Sequence, residues 1–416
     1  MKNKSLPTVK KLLEQSQYRE ARRLLRIVLR EKKDSTLPIF FKEREQKLQQ
    51  LDDEEPYILS RLEVLSMAVE AGIDEDMYLK WRYARYGKET VEKVDSFVWE
   101  WLIRTRVSGY ISRVVWGFGE EYPEAAGWSF SRFGQSKTVL PDGRVVYIAG
   151  EHEDAYDEDF FIYNDVVVIH PNEKIDIYTY SKDVFPPTDF HSATLIGDKI
   201  VIVGRLGYDK ELTETPVYQL DINDFTIQSV QTLGASPSRL HEHDAQLSED
   251  GKRIRFFGGK IRVPPDRTPI ENIDDWELDV LNWRWNCRKK TQWMRWKCKR
   301  DDGLRNTLWQ ARRTLDRHLE QHPNFLEKHP KMLALSCLYE PPLAFQKLDS
   351  KEMRTHRISI DGVVVRYNEE SYHIAVTVEG ELPTSILDIL IQDVLHKLSI
   401  VEGKTFQAKE VILTTA

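Results

Sequence analysis

Residues 193–204 read ATLIGDKIVIVG, in which two short apolar runs flank a Gly-Asp turn. β-Branched runs around a turn signal predict a β-hairpin. The same pattern occurs twice more, as TVLPDGRVVYIAG at 138–150 and AQLSEDGKRIRFFGG at 245–259. Each stretch reaches a glycine, and these glycines are spaced 54 residues apart: Gly150, Gly204 and Gly258. The central chain is therefore a three-fold repeat.

A second hairpin is predicted after each of these three. The three sequences are DVVVIHPNEKIDIY at 165–178, PVYQLDINDFTIQS at 216–229 and WELDVLNWRWN at 276–286. Their turns contain Asn or Asp, which tolerate the backbone conformations that tight turns require. Each repeat therefore consists of two consecutive hairpins.

The three-fold pattern resembles the kelch repeat of β-propellers, a fold shared by galactose-oxidase-like proteins. The resemblance covers about 130–290. It is carried by HSATL at 191–195, Gly258-Gly259, YQLD at 218–221, WELD at 276–279, and the aromatic residues Phe225, Trp283 and Trp285. It implies that His191 and His243, which precede the first strands of the second and third repeats, are structural residues bonded between blades.

The repeat departs from the kelch pattern at two points. The double glycine is complete only in the third unit, since the first has Ala149-Gly150 and the second Gly204-Arg205. Three blades are also fewer than the roughly four to eight of known propellers. Diverged blades could come from flanking segments, two chains could combine, or the stack could stay open under a helical cap. We expect the helical cap.

The whole chain is predicted to be an α+β multidomain protein. We expect a helical domain at 1–112, a kelch-like antiparallel β-domain of the propeller type at 113–290, a helical linker or cap at 291–330 and a small C-terminal α+β domain at 331–416. The last domain is indicated by strands around the Asp361-Gly362 turn, followed by an apolar helix.

Composition excludes several classes of protein. No run of about 18 apolar residues predicts a membrane span, and the N-terminus lacks the apolar segment of a signal peptide. Three cysteines, Cys287, Cys298 and Cys337, provide neither a disulfide framework nor a closed cysteine zinc site. The expected location is the cytoplasm.

The net charge of −7 hides strongly charged patches. The first 33 residues contain eleven Lys and Arg against three Glu, and 284–317 contains twelve against three acids. Residues 151–159, EHEDAYDED, contain six acids. A partner meets such patches rather than the average charge. Five arginines of the first segment follow helical spacing and form either a solvated face or a docking surface: Arg19, Arg22, Arg23, Arg26 and Arg30.

The main candidate site is the acidic end of the repeats. Loops that follow the inner strands of successive repeats should gather on one face, where a protein partner with a basic surface would bind. The predicted partner-binding residues are Glu151, His152, Glu153, Asp154, Asp157, Arg205, Tyr208 and Lys260.

Imidazoles and carboxylates in the same region also fit a divalent metal. The candidate ligands are His152, Glu153, His191, His241 and His243. A structural role for the histidines is the competing interpretation, and no cofactor is required by any motif. Nucleophile, phosphate-binding and zinc-protease motifs are absent from the sequence.

A third candidate is the Trp-rich basic stretch. Six of the eleven Trp residues lie between 276 and 309, interleaved with Lys and Arg, a pattern typical of single-stranded nucleic acid binding. The candidate residues are Trp293, Arg295, Trp296, Lys297 and Arg300. The competing interpretation places Trp293 and Trp296 on one helical face as packing residues.

The function expected from these patterns is binding rather than catalysis. The kelch resemblance implies a protein-interaction platform, and the acidic loop suggests a bacterial immunity or accessory factor with a basic partner. A metal-dependent hydrolase is the first alternative and nucleic-acid binding the second. A copper oxidase is disfavoured because all three cysteines lie outside the acidic loop.

Overall fold

The computed structural model describes residues 64–411, except 66, 69, 119–123, 154–159, 209–213, 263–268, 292, 322–324 and 351–353. Its contacts divide the chain into two compact units. The first comprises the described residues up to Asn272 together with Trp276–Cys287, and the second comprises Ile273–Asp275 and the described residues from Arg288 onward. The predicted helices at the N-terminus, including the five arginines of 19–30, lie outside the described residues.

Three antiparallel sheets, one from each repeat, form the centre of the first unit. Sheet 1 has the order β1-β7-β6-β3-β2, sheet 2 the order β11-β10-β9-β8 and sheet 3 the order β12-β13-β16-β17. The strands of sheet 1 are β1 Glu92–Val94, β2 Ser136–Val139, β3 Val145–Ile148, β6 Val166–Ile169 and β7 Ile175–Thr179. Those of sheet 2 are β8 Ser192–Ile196, β9 Lys199–Val203, β10 Val217–Asp221 and β11 Ile227–Ser229. Those of sheet 3 are β12 Asp244–Leu247, β13 Arg253–Phe257, β16 Asp275–Asp279 and β17 Arg284–Lys289.

Two short hairpins extend sheets 1 and 3 at one end. They are β4 Glu151–His152 with β5 Phe161–Ile162, and β14 Lys260–Ile261 with β15 Ile270–Glu271. The first strands of neighbouring sheets contact one another, β2 with β8 and β8 with β12. The first hairpin of each repeat is therefore confirmed, and the three units are arranged in sequence order.

Backbone conformation at equivalent positions also recurs from one repeat to the next. The residue two positions before the first strand has a positive φ in every unit: Gly134 (61°), Phe190 (50°) and Glu242 (54°). The outer turns also have positive φ at equivalent places: Glu173 (65°), Phe225 (59°) and Trp283 (51°). Non-glycine residues seldom adopt this conformation. Its recurrence shows that the three units share one backbone design even where the side chains have diverged.

The sheets stack through two apolar layers. Alternate residues of a strand point to opposite faces. Sheet 2, which lies between sheets 1 and 3, therefore contributes side chains to both apolar layers. Ile200 and Ile202 of sheet 2 pack with sheet 1, and Val201 and Val203 pack with sheet 3. All four side chains are buried.

Helices cover the outer face of sheet 1. They are α1 Glu75–Trp81, α2 Phe97–Thr105 and α3 Gly109–Val115. Trp99 of α2 is fully buried, stacks on Trp128 with ring centroids 4.8 Å apart, and donates its indole N–H to the Trp81 carbonyl at 2.7 Å. The same cluster includes Val167 and Ile177 of sheet 1. Helices that precede the repeats therefore cover this sheet, and the segment predicted as a helical linker or cap, 291–330, is not among them.

The outer face of sheet 3 is polar instead. The carboxylate of Glu277 on this face lies 3.9 Å from an Nη of Arg253 and 3.4 Å from the Nε of Arg255. A charged outer face ends a stack of repeats because no further apolar layer can form on it. Within the described residues the three sheets do not close into a propeller ring.

The second unit is a six-stranded antiparallel sheet with helices. Its order is β19-β20-β21-β22-β18-β23. The strands are β18 Met294–Arg300, β19 Gln346–Leu348, β20 Thr355–Ile360, β21 Val363–Glu369, β22 Ile374–Glu379 and β23 Phe406–Glu410. The helices are α4 Leu308–Gln321, α5 Pro330–Ser336 and α6 Thr384–Glu402. The apolar helix predicted near the C-terminus corresponds to α6, whose Leu390, Val394 and Leu398 are buried in this core.

One predicted element is wrong. Helix was expected from about residue 290, but Met294–Arg300 is a strand between β22 and β23. Period-two alternation accounts for the difference, since Met294, Trp296 and Cys298 contribute to the apolar core at every second position. Trp293 and Trp296 therefore do not share a helical face. No helix in the described residues has the length and apolar character of a membrane span.

Candidate functional site

The inner strands of the three repeats end on one side of the first unit, which we call the loop face. It is defined by three equivalent backbone pairings, Phe133 with Glu151, Asp189 with Leu206, and His241 with Lys260. The chain leaves this face in three connections that contain 154–159, 209–213 and 263–268. The predicted gathering of the post-strand residues at one end therefore matches the pairing pattern.

Two carboxyl groups meet on the loop face. Asp189 is fully buried, and its Oδ1 accepts the N–H of Gly207 at 2.6 Å. Its Oδ2 is also buried and has no N–H or other fixed donor among the described residues. The side chain of Glu151 is within hydrogen-bonding distance of Asp189. A bond between two carboxyl groups requires that one of them retain its proton.

Burial makes both groups weaker acids. Partial burial, followed by the bond to Asp189, raises the pKa of Glu151 to about 7. Burial also raises the pKa of Asp189, although the Gly207 N–H partly offsets it. Glu153 and Glu242 add negative potential at Glu151. The pair therefore shares a proton near neutral pH, as closely spaced carboxyls do.

The cationic side chains of the loop face bind groups other than the carboxyl pair. Arg205 is 6% exposed, lies close enough to Asp189 to interact electrostatically, and donates to the Pro187 carbonyl at 3.2 Å. Lys260 forms an ion pair with Glu242 at 2.6 Å. Arg262 also interacts electrostatically with Asp189. Within the described residues, however, no cation forms an ion pair with Glu151 or Asp189 at contact distance.

Aromatic side chains lie beside the carboxyl pair. The hydroxyl of Tyr208 accepts the N–H of Ile162 at 2.7 Å, and Tyr86 donates its hydroxyl to the Ile162 carbonyl at 2.8 Å. The ring of Tyr208 meets Phe160 edge-on, with centroids 5.9 Å apart, and the two are 46% and 41% exposed. An acidic centre next to exposed aromatics is suited to binding a basic protein surface.

The remaining predicted partner-binding residues lie at the rim or beyond it. The imidazole of His152 donates from Nδ1 to the Ser131 carbonyl at 3.0 Å. Glu153 is exposed. Asp154 and Asp157 lie outside the described residues. The acidic connection is therefore anchored at His152, and its four acids at 154–159 follow this anchor in the sequence.

The other histidines connect the sheets. His191 lies 2.8 Å from Ser136, and His243 lies 2.9 Å from Ser192, each through Nε2 and the serine hydroxyl. Burial lowers the pKa of His191 to about 4 and that of His243 to about 3. Burial likewise lowers the pKa of His241 to about 4. All three are neutral at pH 7.

The metal candidates do not assemble into a ligand set. Among the described residues, no group of three or more His, Cys, Asp and Glu is arranged to hold a metal ion. Two of the five candidates, His191 and His243, have a serine as partner of one ring nitrogen. Their shared contact links neighbouring sheets instead.

The nucleic-acid candidates lie in or next to β18. Arg295 is 3% exposed, and Trp296 packs against the core of the second unit. Arg300 is held by Asp302 at 2.7 Å and Glu402 at 3.1 Å. Trp293 and Lys297 are half-buried. A strand in the interior of a sheet presents few stacking faces or free cations to a nucleic acid strand.

Sequence analysis missed Asp189, Glu242 and Tyr86. Asp189 stands two residues before His191, in the position that His241 occupies in the third repeat, so a full alignment of the repeats would have drawn attention to it. Tyr86 precedes the repeats by more than 40 residues. Nothing in its local sequence indicates its hydrogen bond to Ile162.

Fold and site together define a mixed α+β protein with a stack of three antiparallel sheets and an acidic loop face. No protein-family model matches the chain, and no curated protein matches it. A solved structure titled "Structure of YjhT" is similar to 40% of this chain at 14% identity, with a TM-score of 0.30. The chain covers 58% of that structure. A likeness of this extent assigns neither family nor function.

Proposed function

We propose that this protein is a binding protein whose kelch-like stack presents the loop face to a basic partner protein. The observation that carries the proposal is the Glu151–Asp189 pair. A carboxyl pair that no ion pair holds among the described residues opposes folding, because desolvation disfavours its charge. A lysine or arginine of a partner would supply a direct ion pair.

The surroundings of the pair support recognition of a protein. Tyr208 and Phe160 offer exposed aromatic contact area next to it, and aromatic residues are enriched at protein interfaces. The connection at 154–159 adds four further acids in sequence. Acidic rims accelerate association with basic partners and make it dependent on salt. An immunity or accessory factor is one member of this class of binding proteins.

The other two functions receive less support from the contacts. A metal-dependent hydrolase needs converging ligands, and His191 and His243 are instead neutral and bonded between sheets. Nucleic-acid binding needs accessible cations, and Arg300 is committed to Asp302 and Glu402.

The test is site-specific crosslinking in the native host. A photo-reactive residue at position 208 should capture one partner that the same residue at position 250 does not capture. Asp250 lies in the turn between β12 and β13, at the opposite ends of the strands. Capture of the same proteins at both positions would contradict a role for the loop face.

The captured partner then allows a quantitative test. With both proteins purified, Glu151→Gln should weaken the complex about tenfold, the effect of losing one charge-assisted contact. Asp250→Asn is the matched control and should leave the affinity unchanged. Affinity should also fall as salt rises. Equal affinity for Glu151→Gln and the native chain would overturn the proposal.

A further inference from the structure

The carboxyl pair of the loop face has one accessible member. Asp189 is fully buried, whereas Glu151 is half-buried. The Oδ2 of Asp189 has no fixed donor among the described residues, and the side chain of Glu151 lies within hydrogen-bonding distance of Asp189. A cation that binds at the loop face therefore contacts Glu151, and the charge of Asp189 acts on it from the interior.

An exposed aromatic ring lies next to this pair. The hydroxyl of Tyr208 interacts electrostatically with both Glu151 and Asp189, so the ring is close to them. The ring is 46% exposed and nearly perpendicular to that of Phe160, with an angle of 88° between the ring planes. Its hydroxyl accepts the Ile162 N–H at 2.7 Å, which holds the ring in place. A flat cationic group can therefore lie on an aromatic face and bind a carboxylate at the same time.

The charge of the pair depends on the proton that it shares. The pair carries one negative charge while it holds this proton and two after the proton leaves. A bound cation stabilises the second form, because it offsets the charge of Asp189 at Glu151. The other charged and titratable side chains that act on the pair, or are ion-paired to one that does, are Glu153, Arg205, Tyr208, Glu242, Lys260 and Arg262.

Building on the proposed function, we propose that the loop face binds an arginine side chain of its partner, whose guanidinium contacts Glu151, stacks on Tyr208 and displaces the shared proton into the solvent. Arginine fits this site better than lysine for two reasons. Its planar group presents paired N–H donors to a carboxylate and stacks on aromatic rings. It is also more weakly hydrated than an ammonium group, so it loses less hydration on entering a partly buried site.

The experiment uses the full chain, labelled with ¹⁵N, and two probes that carry one positive charge each, N-acetyl-arginine methylamide and N-acetyl-lysine methylamide. The reporter is the backbone N–H of Gly207, which donates to the Oδ1 of Asp189 at 2.6 Å. At pH 8 and constant ionic strength its NMR signal should shift and saturate with a Kd of about 10 mM or lower for the arginine probe. The lysine probe should bind at least about threefold more weakly.

Displacement of the proton provides a second readout. Partial burial, followed by the bond to Asp189, raises the pKa of Glu151 to about 7. The affinity for the arginine probe should therefore rise about tenfold from pH 6 to pH 8, as the competing proton is lost. Glu151→Gln should weaken binding about tenfold at pH 8 and abolish this rise. Asp250→Asn removes a carboxylate at the opposite ends of the strands and, as the matched control, should change neither quantity.

Two substitutions at Tyr208 test the stacking contact. Tyr208→Phe keeps the ring and should keep the preference for arginine, whereas Tyr208→Leu should bring the two probes to equal affinity. Absence of saturable binding of the arginine probe, equal affinity of the two probes for the native chain, or an affinity that does not change with pH would overturn the arginine proposal. Capture of a partner by crosslinking at position 208 would in that case still support the loop face as a docking surface.

Discussion

The Nε2 of His243 lies 2.9 Å from the hydroxyl of Ser192, the first residue of the preceding sheet. The same contact joins His191 to Ser136 one repeat earlier, at 2.8 Å. In both cases the histidine stands directly before the first strand of its own sheet. This hydrogen bond joins two neighbouring repeats rather than two residues of the same repeat. It therefore fixes the position of each sheet relative to the preceding sheet.

Loss of this bond should destabilise the first unit. Ser192→Ala and His243→Ala should each cost about 1–3 kcal/mol of unfolding free energy, because a buried polar group loses its partner. The double variant should reveal a coupling of about 1 kcal/mol, since both substitutions break the same bond. Urea unfolding of the four proteins measures both quantities. Strictly additive effects would show that the contact contributes nothing of its own.

Much of the first unit could be predicted because its signals are local. The period of 54 residues located the first hairpins, and their strands follow from alternation and turn residues alone. The repeat pattern itself does not determine closure, because closure depends on what covers the outer sheets. The helices around Trp99 and the charges around Glu277 provide those covers, and neither belongs to the repeat motif.

The parts that sequence analysis missed depend on tertiary contacts. A buried acid such as Asp189 has the same local appearance as an exposed one, and only the approach of Glu151 distinguishes it. The sequence predicts helix where Met294–Arg300 is a strand, because the charged residues of this segment mask the alternation of Met294, Trp296 and Cys298. The Arg312–Glu369 contact joins residues 57 positions apart, beyond the reach of any local pattern.

The buried histidines predict a loss of stability in acid. Their pKa values of about 4, 4 and 3 for His191, His241 and His243 lie below the value of about 6.5 expected in the unfolded chain. The unfolded state therefore binds more protons than the folded state. The stability that the neutral histidines contribute is fully present above pH 6.5 and falls as the pH decreases toward 4. Each histidine should cost about 2 kcal/mol by pH 5.

Unfolding in urea at pH 7, 6 and 5 measures this dependence. His243→Phe removes one titrating group, so its stability should fall less steeply than that of the native chain over the same range. The comparison of slopes separates the histidine from the carboxyl groups, which both proteins share. Parallel slopes would contradict a buried neutral imidazole at position 243.

The carboxyl pair predicts the opposite dependence. The pKa of Glu151 rises on folding from the ordinary 4.5 to about 7. The stability that its neutral form contributes is therefore fully present below pH 4.5 and is lost as the pH rises through 7. Glu151→Gln should be more stable than the native chain by about 1 kcal/mol at pH 8, after allowance for its partial exposure. At pH 5 the two should be nearly equal.

The matched control for this prediction is Glu153→Gln, a change at an exposed neighbour. It should alter stability at pH 8 by much less than Glu151→Gln, because an exposed carboxylate is solvated in both states and only adds a weak repulsion at Glu151. Urea midpoints at pH 5 and 8 provide the measurement. A loss of stability for Glu151→Gln at pH 8 would mean that the carboxylate is stabilised by a counter-charge, and the proposed acidic centre would be wrong.

The helical cap predicts the largest effect of a single substitution. Trp99 of α2 is fully buried, stacks on Trp128 and donates a hydrogen bond to the Trp81 carbonyl. Trp99→Ala therefore removes both packing and a hydrogen bond. We expect a loss of about 3–5 kcal/mol. Phe97→Ala, on the same helix but 51% exposed, should cost less than about 1 kcal/mol. Because the cap covers an apolar face of sheet 1, Trp99→Ala should also bind a hydrophobic dye under native conditions. A stable, dye-negative Trp99→Ala protein would show that sheet 1 needs no cap, and the open stack of three sheets would then require another explanation.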